Sequence, residues 1–343
     1  MRGRSQADPR HFHVGCRSRR DPARDLFLQR NGGRPLTEID PATAAAELLT
    51  VRDFLRHAVS RFTAAGLVHG HGATTALDEA AYLVLETLHL PIDQLEPWLE
   101  ARLTTPERRA LAEIIDARVR LRKPAAYLTR RAYIQGFPFY VDERVIVPRS
   151  YIGELLVSGL FGGEDFTLVE DPASIGRVLD LCTGSGCLAI LAARVFPEAE
   201  IDAVDLSDEA LEVARINVAE HGLEDRIALH KGDLFTAVRG RRYDLIITNP
   251  PYVDAEAMAE LPEEYRHEPR MALAGGEDGL DIVCRILDGA AAHLAPGGGL
   301  LCEIGRGREA LEARRPDLDF LWLETAESYG EVFWLTREQL ARG

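Results

Sequence analysis

The chain has 343 residues, 46% of them hydrophobic, and 55 Asp and Glu against 40 Lys and Arg give a formal net charge of −15. That length allows two domains and a sizeable core. The acidic balance argues against a protein held on nucleic-acid phosphates by Lys and Arg, leaving a basic partner or plain solubility, and no apolar run approaches the roughly 18 residues of a membrane span.

Residues 1–38 are rich in Arg, lack apolar periodicity, and are expected to be a disordered extension. Asp8, Asp21 and Asp25 argue against an organellar transit peptide, and no secretory h-region is visible. From Asp40 and Pro41 the pattern is helical, with Leu48, Val51, Leu55, Ala58 and Phe62 at three- and four-residue steps. Further helices are expected over 76–89 and from Thr105 to about Arg122, each ending before a proline. Residues 39–130 thus form a small helical domain. "AYIQGFPFYVDERVIV" (132–147) reads as a β-hairpin, within a linker over 131–150.

The remainder, 151–343, is read as a catalytic domain of the α/β class. "RVLDLC", "EIDAVDLS", "RIALHKGDLF", "YDLIITNPPY" and "GLLCEIG" supply strands, with helical runs such as "CLAILAARVF" between them. Alternation of this kind means a parallel sheet covered on both faces. "DFLWLE" and "EVFWLT" lie only a few residues apart, which fits an antiparallel last hairpin. Cys16, Cys182, Cys187, Cys284 and Cys302 show no paired spacing, so no metal site is expected and a reducing cytoplasm is the default.

In "VLDLCTGSGCLA", Gly184 and Gly186 follow a strand and precede a helix, and with Ala189 match G-x-G-x-x-A. Asp205, some 20 residues on at the end of the second strand, is placed to accept both hydrogen bonds of a ribose diol. A tight turn without a ligand would show the same glycines, but the pair points to an adenosine-containing cofactor. Asp180 favours one of them. An acid aimed at the turn would repel a dianionic pyrophosphate and suits the sulfonium and ammonium of S-adenosylmethionine. Asp233 is placed to accept from an adenine amino group, with Leu234 and Phe235 packing the ring; a simple loop cap is the alternative. Cys182, Thr183, Ser185, Leu206 and Asn249 complete the expected cofactor site.

"IITNPPYV" leaves a strand through Asn249, Pro250, Pro251 and Tyr252. Prolines lack an N–H, so this turn offers acceptors and almost no donors. It suits an –NH2 conjugated to a carbonyl or ring, which is planar and weakly nucleophilic. Held by the Asn249 oxygen and the Pro250 carbonyl, its lone pair can face a sulfonium methyl. Pro251 stiffens the loop and Tyr252 offers a flat face to a planar amide or base.

With these motifs and "RKPAAYLT", "FYVDERVIVPRS", "EPRMALAGGEDGLD" and "LAPGGGLLCEIG", the chain resembles the class I methyltransferases of the protein-glutamine N5 type over about residues 40–338. The resemblance implies a Rossmann-like seven-stranded sheet, an N-terminal helical domain for substrate recognition, and S-adenosylmethionine as cofactor. Two branches exist, one acting on peptide release factors and one on the third large-subunit ribosomal protein. Ser150, Ile152 and Gly153 fit the ribosomal branch, while Tyr151 stands where that branch carries proline. Adenine-N6 methyltransferases share NPPY but predict a basic groove and a target-recognition insertion. A non-catalytic assembly module predicts an eroded NPPY or glycine turn, and a dehydrogenase is disfavoured by Asp180. Glu268 and Arg270 are read either as shaping the substrate cleft or as a surface pair.

Overall fold

The computed structural model describes residues 39–163, 166–326 and 328–342; the Arg-rich segment 1–38 lies outside them. The helical part comprises Pro41–Glu47, Val51–Ala65, Ala76–Thr87, Thr105–Leu121 and Ala125–Thr129. Its first stretch is two helices, not the single one the periodicity implied. Thr50 and Asp53 form a capping box, and Asp53 also accepts from the Leu49 amide at 3.0 Å, so the chain restarts its helix there. Phe54, Phe62, Leu83, Leu111 and Ile115 fill the core between these helices.

Strands β1 (Arg131–Ile134) and β2 (Phe137–Tyr140) pair antiparallel around Gln135 and Gly136, both at positive φ as a two-residue hairpin turn requires. The hairpin is shorter than expected. Beyond Tyr140 the backbone finds side-chain partners instead of a ladder: Tyr127 donates to the Val145 carbonyl at 2.5 Å, and the Val147 amide donates to Glu268 at 2.9 Å.

The main sheet contains β3 (Arg177–Leu181), β4 (Glu200–Asp205), β5 (Ile227–Lys231), β6 (Tyr243–Thr248), β7 (Leu294–Glu303), β8 (Leu321–Glu324) and β9 (Tyr329–Thr336). Their order is β5-β4-β3-β6-β7-β9-β8. Pairing is parallel from β5 through β7 and antiparallel at β7/β9 and β9/β8. Helices Tyr151–Val157, Cys187–Val195 and Asp208–Glu220 cover one face. Asp281–His293, Arg308–Arg314 and Arg337–Leu340 cover the other. The chain runs outward from β3 to β5, then returns to place β6 beside β3. The strand order therefore reverses at the C-terminal ends of β3 and β6, where open parallel sheets bind ligands.

Candidate functional site

A cavity of about 540 Å³ opens at that reversal point, lined by Cys182–Ser185, Asp205, Leu206, Asp233, Leu234, Asn249 and Pro251. The glycine turn is shaped for close approach. Cys182 takes φ 58 despite its side chain, Gly184 takes φ 55, and a Cβ on Gly186 (φ 80) would press to 3.2 Å from Ala214. Gly186 therefore packs the turn onto helix Asp208–Glu220 and does not itself line the cavity. Asp205 accepts from the Gly184 and Ser207 amides, each at 2.9 Å, while burial raises its pKa. Its carboxylate thus braces the turn as well as facing the cavity.

Three sequence expectations change here. Asp180 does not line the cavity: it is wholly buried behind the turn, where one oxygen accepts from Thr183 Oγ1 (2.5 Å) and the Ala189 amide (3.1 Å). The cause is local, since the turn folds back over the strand end and Thr183 caps the acid. Its other oxygen has no partner among the described residues, and burial pushes its pKa to about 7. Asp233 lines the cavity but is ion-paired with Arg285 at 2.6 Å. Phe235 does not reach the cavity, because it stacks on His293 at 4.4 Å.

Asn249 lines both this cavity and a second one of about 190 Å³, which Pro250, Tyr252, Ile146, Arg149, Leu261 and Tyr265 also line. Neither the Asn249 carboxamide nor the Pro250 carbonyl is engaged by another group among the described residues. The loop is held from behind. The Val253 amide donates to Leu273 at 2.8 Å and the Gly275 amide to Val253 at 2.9 Å. Any side chain at Gly275 would stand 2.7 Å from Tyr252 Cα, and one at Gly305 (φ 55) 2.7 Å from the Tyr252 ring. The run "AGGEDG" is thus a seat for the loop.

Tyr252 donates to Glu303 at 3.1 Å. Glu303, wholly buried at the end of β7, also accepts from Ser150 Oγ (2.7 Å) and the Tyr151 amide (3.0 Å). Burial pushes its pKa to about 7 against those bonds. Glu268 is not half of a surface pair with Arg270. It is 3% exposed and takes a bidentate grip on Arg149, at 2.5 and 2.7 Å. Burial opposes its charge, yet His71 and Arg149 hold its pKa down to about 2. Arg270 stands at the rim of the larger cavity.

The walls contributed by Arg144–Ser150 and Pro269–Ala272 were not anticipated as cofactor-side residues. Their motifs, "VIVPRS" and "EPRMALA", were legible only as family markers.

A family described as "Methyltransferase small domain" matches residues 166–265. The ribosomal protein uL3 glutamine methyltransferase of Bradyrhizobium diazoefficiens is 59% identical over 86% of this chain and 92% of its own length. The protein of the same description in Bordetella pertussis is 55% identical over 86% and 97%. That in Neisseria meningitidis is 56% identical over 87% and 96%.

Proposed function

We infer from the family to which this chain belongs, the ribosomal protein uL3 glutamine methyltransferases, that it transfers a methyl group from S-adenosylmethionine to the side-chain amide nitrogen (N5) of a glutamine in uL3, the third protein of the large ribosomal subunit. When bound, S-adenosylmethionine supplies an electrophilic methyl whose C–S bond breaks with its electron pair going to sulfur. The residues around the larger cavity fit that molecule. Asp205 faces the cavity with carboxylate lone pairs left for a ribose diol, Leu206 and Leu234 offer apolar walls, and a cation held at the turn would favour the ionised form of Asp180 buried behind it.

One observation carries the reading of the catalytic loop: the unengaged Asn249 carboxamide stands in the wall shared by the two cavities. With cofactor in the larger cavity and the glutamine side chain in the smaller, Asn249 Oδ1 and the Pro250 carbonyl accept the two amide hydrogens. Held so, the nitrogen would present its lone pair toward the larger cavity, where the bound cofactor would supply the methyl. The growing positive charge on nitrogen is stabilised by those acceptors, and its proton becomes acidic enough to leave without a strong base. Pro251 stiffens the loop on the cofactor side, and Tyr252, fixed by Glu303, flanks the planar amide.

An acidic protein suits a strongly basic ribosomal protein met in the cytoplasm, before or during subunit assembly. The formal charge gives no support for direct nucleic-acid binding. The test is mass spectrometry of uL3 and of release factors from a deletion strain. Loss of one methyl from a uL3 glutamine, with release factors unchanged, is the expected result. An intact uL3 with an unmethylated release factor would transfer the assignment to the other branch.

A further inference from the structure

Three distant stretches of chain meet at Tyr265, which lines the smaller cavity. The His71 ring, from the helical part, lies 4.2 Å from the Tyr265 ring, and the Arg149 guanidinium lies over that ring at 5.5 Å. His71 and Arg149 both face Glu268, His71 at 3.6 Å. Gly70 closes the cluster. Its φ is ordinary, so no turn demands a glycine, yet a Cβ there would run into the Tyr265 hydroxyl and stand 3.3 Å from Cζ. That hydroxyl makes no hydrogen bond among the described residues.

The turn Glu263–His267, which carries Tyr265, is fastened to the helical part on both sides. Buried Glu264 accepts from the Val68 amide at 3.1 Å and is ion-paired with Arg122 at 2.6 Å. His267 donates to the Leu121 carbonyl at 3.1 Å. Tyr265 lines the smaller cavity and neither Gly70 nor His71 does, so a ring displaced from Gly70 changes the cavity wall.

We propose that Tyr265 is a positioning residue, set by Gly70 and His71, through which the helical part fixes the width of the cavity that takes the glutamine side chain. The inference rests on the preceding assignment of that cavity. It differs from a helical part that only docks substrate, since changes made there then reach the transfer step itself.

The test measures steady-state methylation of uL3 by the full chain, with S-adenosylmethionine affinity followed by calorimetry. Gly70→Ala lowers kcat about 10- to 100-fold, the usual effect of a misplacement near 1 Å, with cofactor affinity unchanged. Tyr265→Phe supplies the reference kcat for a ring without the colliding oxygen. The double variant, lacking the colliding oxygen, recovers most of the lost kcat, a non-additivity expected of groups in contact. An unchanged kcat in Gly70→Ala, a loss confined to KM, or a double variant as slow as Gly70→Ala overturns the proposal. If Gly70→Ala does not fold, Tyr265→Ala serves: kcat falls with cofactor affinity intact, and full kcat refutes the role. Wild-type enzyme that leaves uL3 unmodified counts against the substrate assignment, whereas wild-type turnover with an unresponsive Gly70 counts against Tyr265 alone.

Discussion

Asn249→Ala removes the one side-chain acceptor that stands in both cavity walls. Loss of a preorganised catalytic hydrogen bond costs about 2.7–4 kcal/mol, so turnover should fall about 10²- to 10³-fold. Cofactor affinity should change little, because the glycine turn and Asp205 are held by contacts that do not involve Asn249. Asn249→Asp separates two possibilities. Were the Asn249 N–H groups anchoring the loop, Asp would be as poor as Ala. The carboxamide has no partner among the described residues, and the loop is seated instead through Val253, Gly275 and Gly305. Asp keeps the acceptor and the size, so it should retain clearly more activity than Ala. Single-turnover rates at saturating cofactor and uL3 measure this directly. Near-wild-type turnover in Asn249→Ala would refute the loop's role, and equal rates for Asp and Ala would refute the acceptor argument.

Asp205→Asn leaves one acceptor oxygen for two amides, Gly184 and Ser207. Hydrogen bonds to a charged acceptor contribute about 1.5–3 kcal/mol, so S-adenosylmethionine affinity should drop roughly 10- to 100-fold by calorimetric titration; unchanged affinity would remove Asp205 from the cofactor site. Glu303 has a pKa raised in the folded state, so the stability it contributes is full below its ordinary 4.5 and is lost as pH rises through about 7. Thermal melts of Glu303→Gln should therefore show a flatter decline across that window than wild type, and parallel curves would show that Glu303 does not titrate there.

The sheet was legible because buried parallel strands read as unbroken apolar runs, and the last hairpin because its two strands sit too close in sequence for a crossover. The glycine turn and Asn249–Tyr252 were legible because their chemistry is local. Helix Asp281–His293 was missed although Val283, Ile286, Leu287 and Ala290 keep helical spacing. Asp180 was misplaced because the sequence shows that an acid precedes the turn, but not that Thr183 folds back to cap it. The smaller cavity was beyond reach for another reason. Its wall depends on Glu268 holding Arg149, 119 positions away, and no pattern along the chain reports such a pairing.

Arg118, fully buried, is clasped by Glu79 at 2.6 Å and lies 3.9 Å from Glu264, which in turn binds Arg122. Removing one member of such a group leaves a charge stranded in an apolar interior, at about 3–5 kcal/mol. The helical part is therefore not a cassette. A helical part grafted from a relative acting on another substrate would bring its own charges to face Glu264 and Glu268, and a mismatch would destabilise both halves at once. Substitutions along this seam are therefore tolerated mainly in pairs, one on each side, which ties the evolution of the helical part to that of the catalytic half.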